Sequence, residues 1–163
     1  MDVAAHIASL VCGINYEGQI FKKAYLNGRN YESTLANYYV SNYNLNNDLS
    51  EVALVKFQPS MDYFIYYIKK AKSSLALDRV FILTTKNTAS ASESVINGLK
   101  PYIDVKQVGT TSHGKPVGMI SSQYKNLVLV PIMFSGYNSL GNGDFYDGIH
   151  PDSEIEDDLS NDI

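Results

Sequence analysis

The sequence has 163 residues, of which 45% are apolar and 18% are charged, a length and composition typical of one globular domain. The formal net charge is −4, and no basic stretch offers a surface for nucleic acid. No run of about 18 apolar residues occurs, so no segment is predicted to span a membrane. The first residues lack the basic region of a signal peptide, so we expect any export signal to lie upstream of them.

Acidic residues concentrate near the end of the chain, in a stretch without lysine or arginine. They include Asp152, Glu154, Glu156, Asp157 and Asp158. Such a stretch is typical of a solvated segment. We therefore predict a domain over residues 1–152 and an acidic tail over residues 153–163.

The single cysteine, Cys12, lies in an apolar stretch. One cysteine can form neither an internal disulfide nor a thiolate metal site. A small core residue is the more frequent role for such a cysteine than a nucleophile. The sequence also has no phosphate-binding glycine motif, so we expect no cofactor and no metal.

The first half of the chain predicts two helices and two strands. Apolar residues recur at helical spacing over residues 2–12, which predicts a helix that ends at Gly13. Its apolar side would consist of Val3, Ile7, Leu10 and Val11. Residues 19–25 and 51–58 are predicted as strands. Residues 61–72 are predicted as a helix, although their aromatic content also suits a strand.

The second half predicts a strand–helix–strand unit. Residues 79–84 form a short apolar run, which is typical of a strand buried on both faces. A helix over residues 90–100 and a strand over residues 104–109 follow, which implies two parallel strands with a right-handed crossover. Residues 116–122 and 126–134 then suggest an antiparallel pair with its turn between them.

Ser90 lies where the chain passes from the apolar strand to the helix. This position presents a hydroxyl at the end of a sheet, close to the first N–H groups of the helix, which can stabilise an oxyanion. Its neighbours Ala89 and Ala91 are small enough for a substrate to approach. The same segment also forms a capping box with Glu93, which needs no chemistry, unless Thr88 is the N-cap.

Lys115 follows the strand over residues 104–109 and lies between turn residues, so we expect it on a loop at the edge of the sheet. A lysine can take the proton of a serine only in its neutral form, which burial favours. Taken alone, Lys115 is more often a solvated lysine than a catalytic base.

Three stretches together carry a resemblance. The apolar strand precedes the segment Thr88–Glu93 (T-A-S-A-S-E), and Lys115 follows 25 residues after Ser90, at the end of Gly109–Lys115 (G-T-T-S-H-G-K). The closing segment Gly148–Asp152 (G-I-H-P-D) is similar to a G-x-x-P-D motif. This pattern resembles the C-terminal-processing (tail-specific) serine peptidases of peptidase family S41, and it covers the C-terminal part of their catalytic domain. The segments 97–102 (N-G-L-K-P-Y) and 114–119 (G-K-P-V-G-M) resemble the branch found in Bacteroides-type bacteria.

The resemblance implies an α/β fold, a ClpP/crotonase-like spiral with a mixed, mainly parallel sheet and flanking helices. It implies a Ser–Lys dyad in which Ser90 attacks a peptide carbonyl and Lys115 is the general base. The Ala91 backbone N–H would donate to the oxyanion, and Glu93 and Gly114 would have supporting roles. A polypeptide substrate and export to the periplasm or cell envelope are implied by the resemblance only.

Three features depart from the pattern of the family. Met119 stands where many relatives have a glutamine that helps to position the dyad, and methionine cannot donate a hydrogen bond. Thr110 replaces the acid of the G-E-x-T-x-G-K motif. The D-L-R-x-N-x-G-G motif, which supplies the second oxyanion donor, does not occur. We therefore expect this chain to be weakly active or inactive alone, and to form a homodimer through an exposed sheet edge.

Other readings of the same residues remain open. Ser90 with His113 and an acid such as Asp104 would make a conventional triad. The Gly- and Asp-rich segment 136–152 could suggest a calcium loop, although the EF-hand spacing is not met. A non-catalytic peptide- or protein-binding module could use the same fold, with the tyrosine-rich region 31–67 as its interaction face.

Overall fold

The computed structural model of the chain describes residues 3–26, 55–58, 63–119, 122–124 and 127–156. Most of the tyrosine-rich region, residues 51–54 of the second predicted strand and the last seven residues of the predicted tail lie outside the described residues. The described part contains two helices, α1 (Val3–Tyr16) and α2 (Ala91–Leu99). Its strands are β1 (Ile20–Leu26), β2 (Val55–Gln58), β3 (Tyr63–Tyr67), β4 (Arg79–Thr84), β5 (Asp104–Gly109), β6 (Val117–Met119), β7 (Ser122–Tyr124), β8 (Leu127–Leu129), β9 (Ile132–Tyr137) and β10 (Ser153–Glu154).

The described strands form three sheets. The largest has the order β2-β3-β1-β9-β6, and all of its neighbouring strands are antiparallel. A second sheet, β10-β5-β4, is parallel, and β7 pairs with β8 as an antiparallel hairpin. The α/β class and the mixed pairing are confirmed. The described strands are not mainly parallel, however: five of their seven pairings are antiparallel, and only β4 with β5 and β5 with β10 run in the same direction.

The predicted strand–helix–strand unit is confirmed as β4-α2-β5. The two strands are parallel in a continuous register from Arg79 opposite Asp104 to Thr84 opposite Gly109. The predicted antiparallel pair is also confirmed, since β6 pairs with β9 and β7 pairs with β8. Helix α2 contacts β1 and β9 of the large sheet as well as β5 of the parallel sheet, so it holds the two sheets together.

Helix α1 extends beyond its predicted end. It buries a face of small residues instead of the predicted apolar face. The predicted apolar side is partly in solvent, with Val3 63% and Ile7 40% exposed. The buried residues are the small ones, Ala4, Ala5, Ala8, Ser9, Cys12 and Gly13. Gly13 is not the helix stop, because α1 continues to Tyr16. A Cβ at Gly13 would lie 2.2 Å from the carbonyl oxygen of Lys69, so the chain packs closely there. Close packing therefore decided which face is inside, and hydrophobicity did not.

The predicted helix over residues 61–72 is wrong, since Tyr63–Tyr67 form β3. This strand lies between β1 and β2 and pairs antiparallel with both. Its side chains at 64–66 are buried. Aromatic and β-branched residues fit a strand that is covered in this way, and pairing on both edges outweighs the weak helical spacing.

Strand β4 is buried on one face only, whereas its sequence predicted burial on both. Val80 and Ile82 pack against the core, but Phe81 is 65% and Leu83 80% exposed. Among the described strands β4 pairs with β5 alone. Within the described residues no helix has the length and apolar character needed to cross a bilayer.

Cys12 is fully buried, and its thiol lies 3.4 Å from the carbonyl oxygen of Ala8. Burial raises the pKa of the Cys12 thiol to about 11, and the thiolate is the form that reacts. We therefore expect iodoacetamide to modify native Cys12 at pH 8 at least about 100-fold more slowly than the denatured chain, where the pKa returns to its ordinary value. Mass spectrometry of timed samples measures the two rates. Equal rates would show that Cys12 is accessible.

Candidate active site

Ser90 occupies a strained position at the junction of β4 and α2. Its backbone angles are φ 54° and ψ −107°, a region that side chains with a Cβ rarely adopt. Strand β4 ends at Thr84, and α2 begins at Ala91, directly after the serine. Thr88 is not the N-cap, because its hydroxyl accepts a hydrogen bond from Thr85 N–H at 3.0 Å. A strained serine on a sharp strand-to-helix turn is a geometry by which hydrolases expose a nucleophile.

Backbone strain at Ser90 predicts a difference between two substitutions. Glycine adopts positive φ without a steric cost, whereas alanine keeps the strain. We therefore expect Ser90→Gly to have a free energy of unfolding about 1 kcal/mol higher than Ser90→Ala. Urea denaturation of both variants measures the difference. A Ser90→Ala variant as stable as Ser90→Gly would mean that the turn is unstrained.

The loop that carries Lys115 starts where β5 ends and returns to the turn that carries Ser90. Because β4 and β5 are parallel, their carboxyl ends lie at the same edge of the sheet. Two backbone hydrogen bonds join the loop to that edge: Thr110 N–H donates to Thr84 O at 3.0 Å, and His113 N–H donates to Thr88 O at 2.8 Å. The two predicted catalytic segments are therefore neighbours in space.

A buried carboxylate joins these two segments. Glu93 is 0% exposed, and its side chain accepts four hydrogen bonds, from three backbone N–H groups and one hydroxyl. The donors are Ser90 N–H at 2.8 Å, Lys115 N–H at 2.9 Å, Gly114 N–H at 2.7 Å and Ser112 Oγ at 2.6 Å. The same oxygen, Oε2, accepts from both Ser90 and Lys115. The predicted supporting role of Glu93 thus has a geometric basis that extends beyond helix capping.

Gly114 has a conformation and surroundings that exclude a side chain. Its φ is +86°, and a Cβ would lie 2.2 Å from the carbonyl oxygen of Tyr146. The neighbouring Ser112 is buried and accepts a hydrogen bond from Ile149 N–H at 2.8 Å. The closing segment 148–152 therefore packs directly on the loop that carries Lys115.

Ser90 and Lys115 line one cavity of about 220 Å³, which we call the Ser90 cavity. Ala91 also lines it, and the backbone N–H of this first helical residue has no acceptor within the helix. Met119, at the end of β6 and 41% exposed, lies on the same wall. The geometry thus brings together four of the residues singled out in the sequence.

The triad alternative with Asp104 as its acid does not assemble. Asp104 begins β5 and Gly109 ends it, so about five residue steps of 3.3 Å separate Asp104 from the edge that holds Ser90. Hydrogen bonds from Lys106 and Arg79, at 2.9 and 2.8 Å, hold the pKa of Asp104 below its ordinary value. The His113 side chain is exposed.

A calcium loop also finds no support in the described residues, which contain no group of three or more His, Cys, Asp or Glu side chains able to hold a metal ion. Within the segment 136–152, Asp152 instead accepts a hydrogen bond from Gln107 N–H at 2.8 Å. The backbone of Ser153 and Glu154 continues from this point as β10, next to β5.

Two residues of the site were not predicted from the sequence. Ser112 lies on the loop before Lys115, and its hydroxyl connects Glu93 to the closing segment. Lys22 lines the Ser90 cavity from β1, far away in the chain. The loop pattern around Ser112 was visible in the sequence, but nothing near Lys22 in the sequence indicated that β1 runs beside the site.

The chain is similar to one known protein family and to several solved structures. The model of peptidase family S41 matches residues 22–155. A protein of Bacteroides fragilis assigned to the S41 proteases aligns with a TM-score of 0.69 and 19% identity, over 96% of this chain and 34% of its own. Mature CPAF aligns with a TM-score of 0.58 and 12% identity, over 95% and 36%. The photosystem II D1 C-terminal processing protease aligns with a TM-score of 0.54 and 13% identity, over 94% and 30%.

The fold is therefore the one found in solved proteases of this class. Because the family model covers most of its length, the chain belongs to peptidase family S41, a family of serine peptidases. It spans about a third of the length of the three solved structures named above. No curated protein sequence matches it.

Proposed function

We propose that this chain carries the catalytic dyad of a serine endopeptidase that cleaves polypeptides near their C-termini. Ser90 is the nucleophile and Lys115 the general base. The observation that supports this most is that both residues line the Ser90 cavity while one carboxylate, that of Glu93, binds the backbone N–H of each. A serine held at positive φ at the entrance of a helix adds to it.

The reaction would follow from these groups in two stages. Ser90 Oγ attacks the carbonyl carbon while Lys115 Nζ accepts the hydroxyl proton, and Lys115 then gives this proton to the leaving amine as the C–N bond breaks. A water molecule next attacks the Ser90 ester, with Lys115 accepting its proton and returning it to Ser90 Oγ as the ester bond breaks. No cofactor takes part.

Stabilisation of the oxyanion is the incomplete part of this site. Ala91 N–H would supply one donor, at the N-terminus of α2. The family motif that supplies the second donor does not occur in the sequence, and loss of one donor typically lowers the rate by about 10²–10³-fold. The chain alone should therefore be weakly active or inactive as a peptidase.

Covalent labelling tests the nucleophile without requiring turnover. A fluorophosphonate should modify one residue, Ser90, as located by peptide mass spectrometry, and Ser90→Ala should remove the label. Ser92→Ala, which changes an exposed serine on the first turn of α2, serves as a matched control and should keep it. Absence of labelling at Ser90, or equal labelling of other serines, would contradict the proposal.

A non-catalytic binding module is the second candidate function. The observation that favours it is Met119, which lines the Ser90 cavity and cannot donate the hydrogen bond made by the glutamine of many relatives. In this case peptides would bind to the cavity while Ser90 stayed unlabelled. Labelling combined with peptide binding therefore distinguishes the two functions.

The second edge of β4 supports a homodimer. Phe81 and Leu83 are exposed, and no strand of the described residues pairs with the second edge of β4, so a second copy could cover this surface by strand pairing. We expect Leu83→Lys to weaken self-association at least about 10-fold in sedimentation equilibrium, and Leu140→Lys, at a similarly exposed leucine in the loop after β9, to leave it unchanged. A wild-type chain that stays monomeric at high concentration would contradict this.

The cellular location is proposed on the resemblance alone. The peptidase would act in the periplasm or cell envelope, and fractionation of cells that express the tagged natural protein tests this. Recovery in the cytosolic fraction would contradict it.

A further inference from the structure

A second serine, Ser94, lines the Ser90 cavity and has no part in the proposed mechanism. It lies on α2, is half-buried and shares the cavity wall with Ser90 and Lys115. A serine inside a helix often donates its hydroxyl proton to the carbonyl four residues earlier. Here the Ser90 carbonyl oxygen accepts from Ser94 N–H at 2.8 Å, and the Ser94 hydroxyl has no hydrogen-bond partner among the described residues. The hydroxyl is therefore free to bind a group in the cavity.

Ser94 lies one helical turn beyond Ser90. The hydrogen bond from Ser94 N–H to Ser90 O closes that turn. Residues four apart on a helix have Cβ atoms roughly 5–6 Å apart. An amine nitrogen makes hydrogen bonds of about 2.9 Å, so one nitrogen fits between two hydroxyls at this separation. A lysine that reaches Ser90 Oγ from the cavity is therefore also within reach of Ser94 Oγ.

Lys115 needs an acceptor that orients its amine. Glu93 binds the Lys115 backbone N–H at 2.9 Å, but Lys115 Nζ has no partner among the described residues. The stem of a lysine is flexible, so a base that is held only by its backbone has to be ordered at each reaction. Among the described residues that line the cavity, the side-chain oxygens are those of Ser90 and Ser94. Because Ser90 is the group to be deprotonated, Ser94 is the acceptor that remains.

We infer that Ser94 is a positioning residue for Lys115. The neutral amine donates one N–H to Ser94 Oγ, and this hydrogen bond directs its lone pair toward the Ser90 hydroxyl. Ser94 thus acts through Lys115 and does not itself take or give a proton in the reaction. This inference rests on the proposed peptidase function, because it assigns Ser94 a role only where Lys115 is the base.

Removal of the Ser94 hydroxyl should slow the fluorophosphonate labelling of Ser90. Ser94→Ala should lower the limiting rate at saturating probe about 10-fold, which is the effect of one lost hydrogen bond to the base. The probe concentration that gives half of this rate should change little, since binding of the probe does not use Lys115. Ser92→Ala, at an exposed serine of the same helix, is the matched control and should keep the wild-type rate.

Ser94→Thr and Ser94→Val separate the hydroxyl from the shape of the side chain. The two side chains have nearly the same volume and branching, and only threonine has a hydroxyl. Ser94→Thr should therefore label about 10-fold faster than Ser94→Val, and circular dichroism should show that both variants are folded. Equal labelling rates of the two would overturn the role of Ser94.

A double-mutant cycle connects Ser94 to Lys115. In a chain that already carries Lys115→Ala, Ser94→Ala should change the labelling rate by less than about 2-fold, because the amine that it positions is gone. A further loss of about 10-fold in this background would mean that Ser94 acts on Ser90 or on the probe directly. That result would also overturn the inference.

The outcomes separate this inference from the function on which it rests. A wild-type chain whose Ser90 is not labelled would reject the peptidase and the role of Ser94 together. A chain that is labelled at Ser90 and slowed by Lys115→Ala, but labels at the wild-type rate after Ser94→Ala, would reject the role of Ser94 alone.

Discussion

Replacing Lys115 by alanine is expected to slow the fluorophosphonate labelling of Ser90 by about 10²–10⁴-fold. General-base catalysis typically contributes a factor of this size, and it is lost when no group remains to take the serine proton. Lys115→Arg should be slowed by a similar factor, because guanidinium stays protonated and cannot act as a base. The arginine variant thus distinguishes a base from a simple positive charge near the serine.

The labelling rate at several probe concentrations provides the measurement. Lys86→Ala is the matched control, since Lys86 is an exposed lysine on the same turn as Ser90, and it should label at the wild-type rate. A Lys115→Ala variant that labels as fast as Lys86→Ala would remove Lys115 from the dyad. Retained labelling in Lys115→Arg alone would mean that charge, not proton transfer, is what the reaction needs.

Replacing Glu93 by alanine is expected to lower the free energy of unfolding by about 3–5 kcal/mol. The carboxylate is completely buried, and its removal leaves three backbone N–H groups and the Ser112 hydroxyl without their acceptor. An unsatisfied buried donor costs about 1–3 kcal/mol, part of which local relaxation recovers. Chemical denaturation monitored by circular dichroism measures the loss.

Glu93→Gln refines this prediction. The amide keeps the shape of the side chain but replaces one acceptor oxygen with a donor, so Glu93→Gln should lose less stability than Glu93→Ala. It should still slow Ser90 labelling, because it disturbs the hydrogen bonds that connect the Ser90 turn to the Lys115 loop. Glu17→Ala, at an exposed glutamate after α1, should change stability by less than about 0.5 kcal/mol. If Glu93→Ala lowers the free energy of unfolding by less than about 1 kcal/mol, the hydrogen bonds of Glu93 contribute little to stability.

Local pattern predicted the part of the chain around Ser90 well. The β4-α2-β5 unit, the capping role of Glu93 and the neighbourhood of Ser90 and Lys115 follow from short-range rules, because parallel strands joined by one helix place their carboxyl ends side by side. The roles of Ser90 and Lys115 in catalysis stay predictions until labelling tests them.

The same rules were insufficient where long-range packing competes with them. Helix α1 buries its small residues because the backbone at Lys69 approaches Gly13 too closely for anything larger. Residues 63–67 form a strand because β1 and β2 pair with them on both edges. Such partner strands cannot be read from the residues of the segment itself. Strand β4 kept Phe81 and Leu83 in solvent although its composition is that of a buried strand.

The sequence by itself determined the class of the protein, the strand–helix–strand unit and the residues that could form a dyad, since each of these depends on residues close together in the chain. Only the tertiary structure decided that Glu93 binds the backbone of both Ser90 and Lys115, and that Lys22 enters the Ser90 cavity. The physical reason is that hydrogen bonds and cavity walls depend on distances in space. Lys22 lines this cavity because β1 pairs with β9, and this pairing joins segments far apart in the chain.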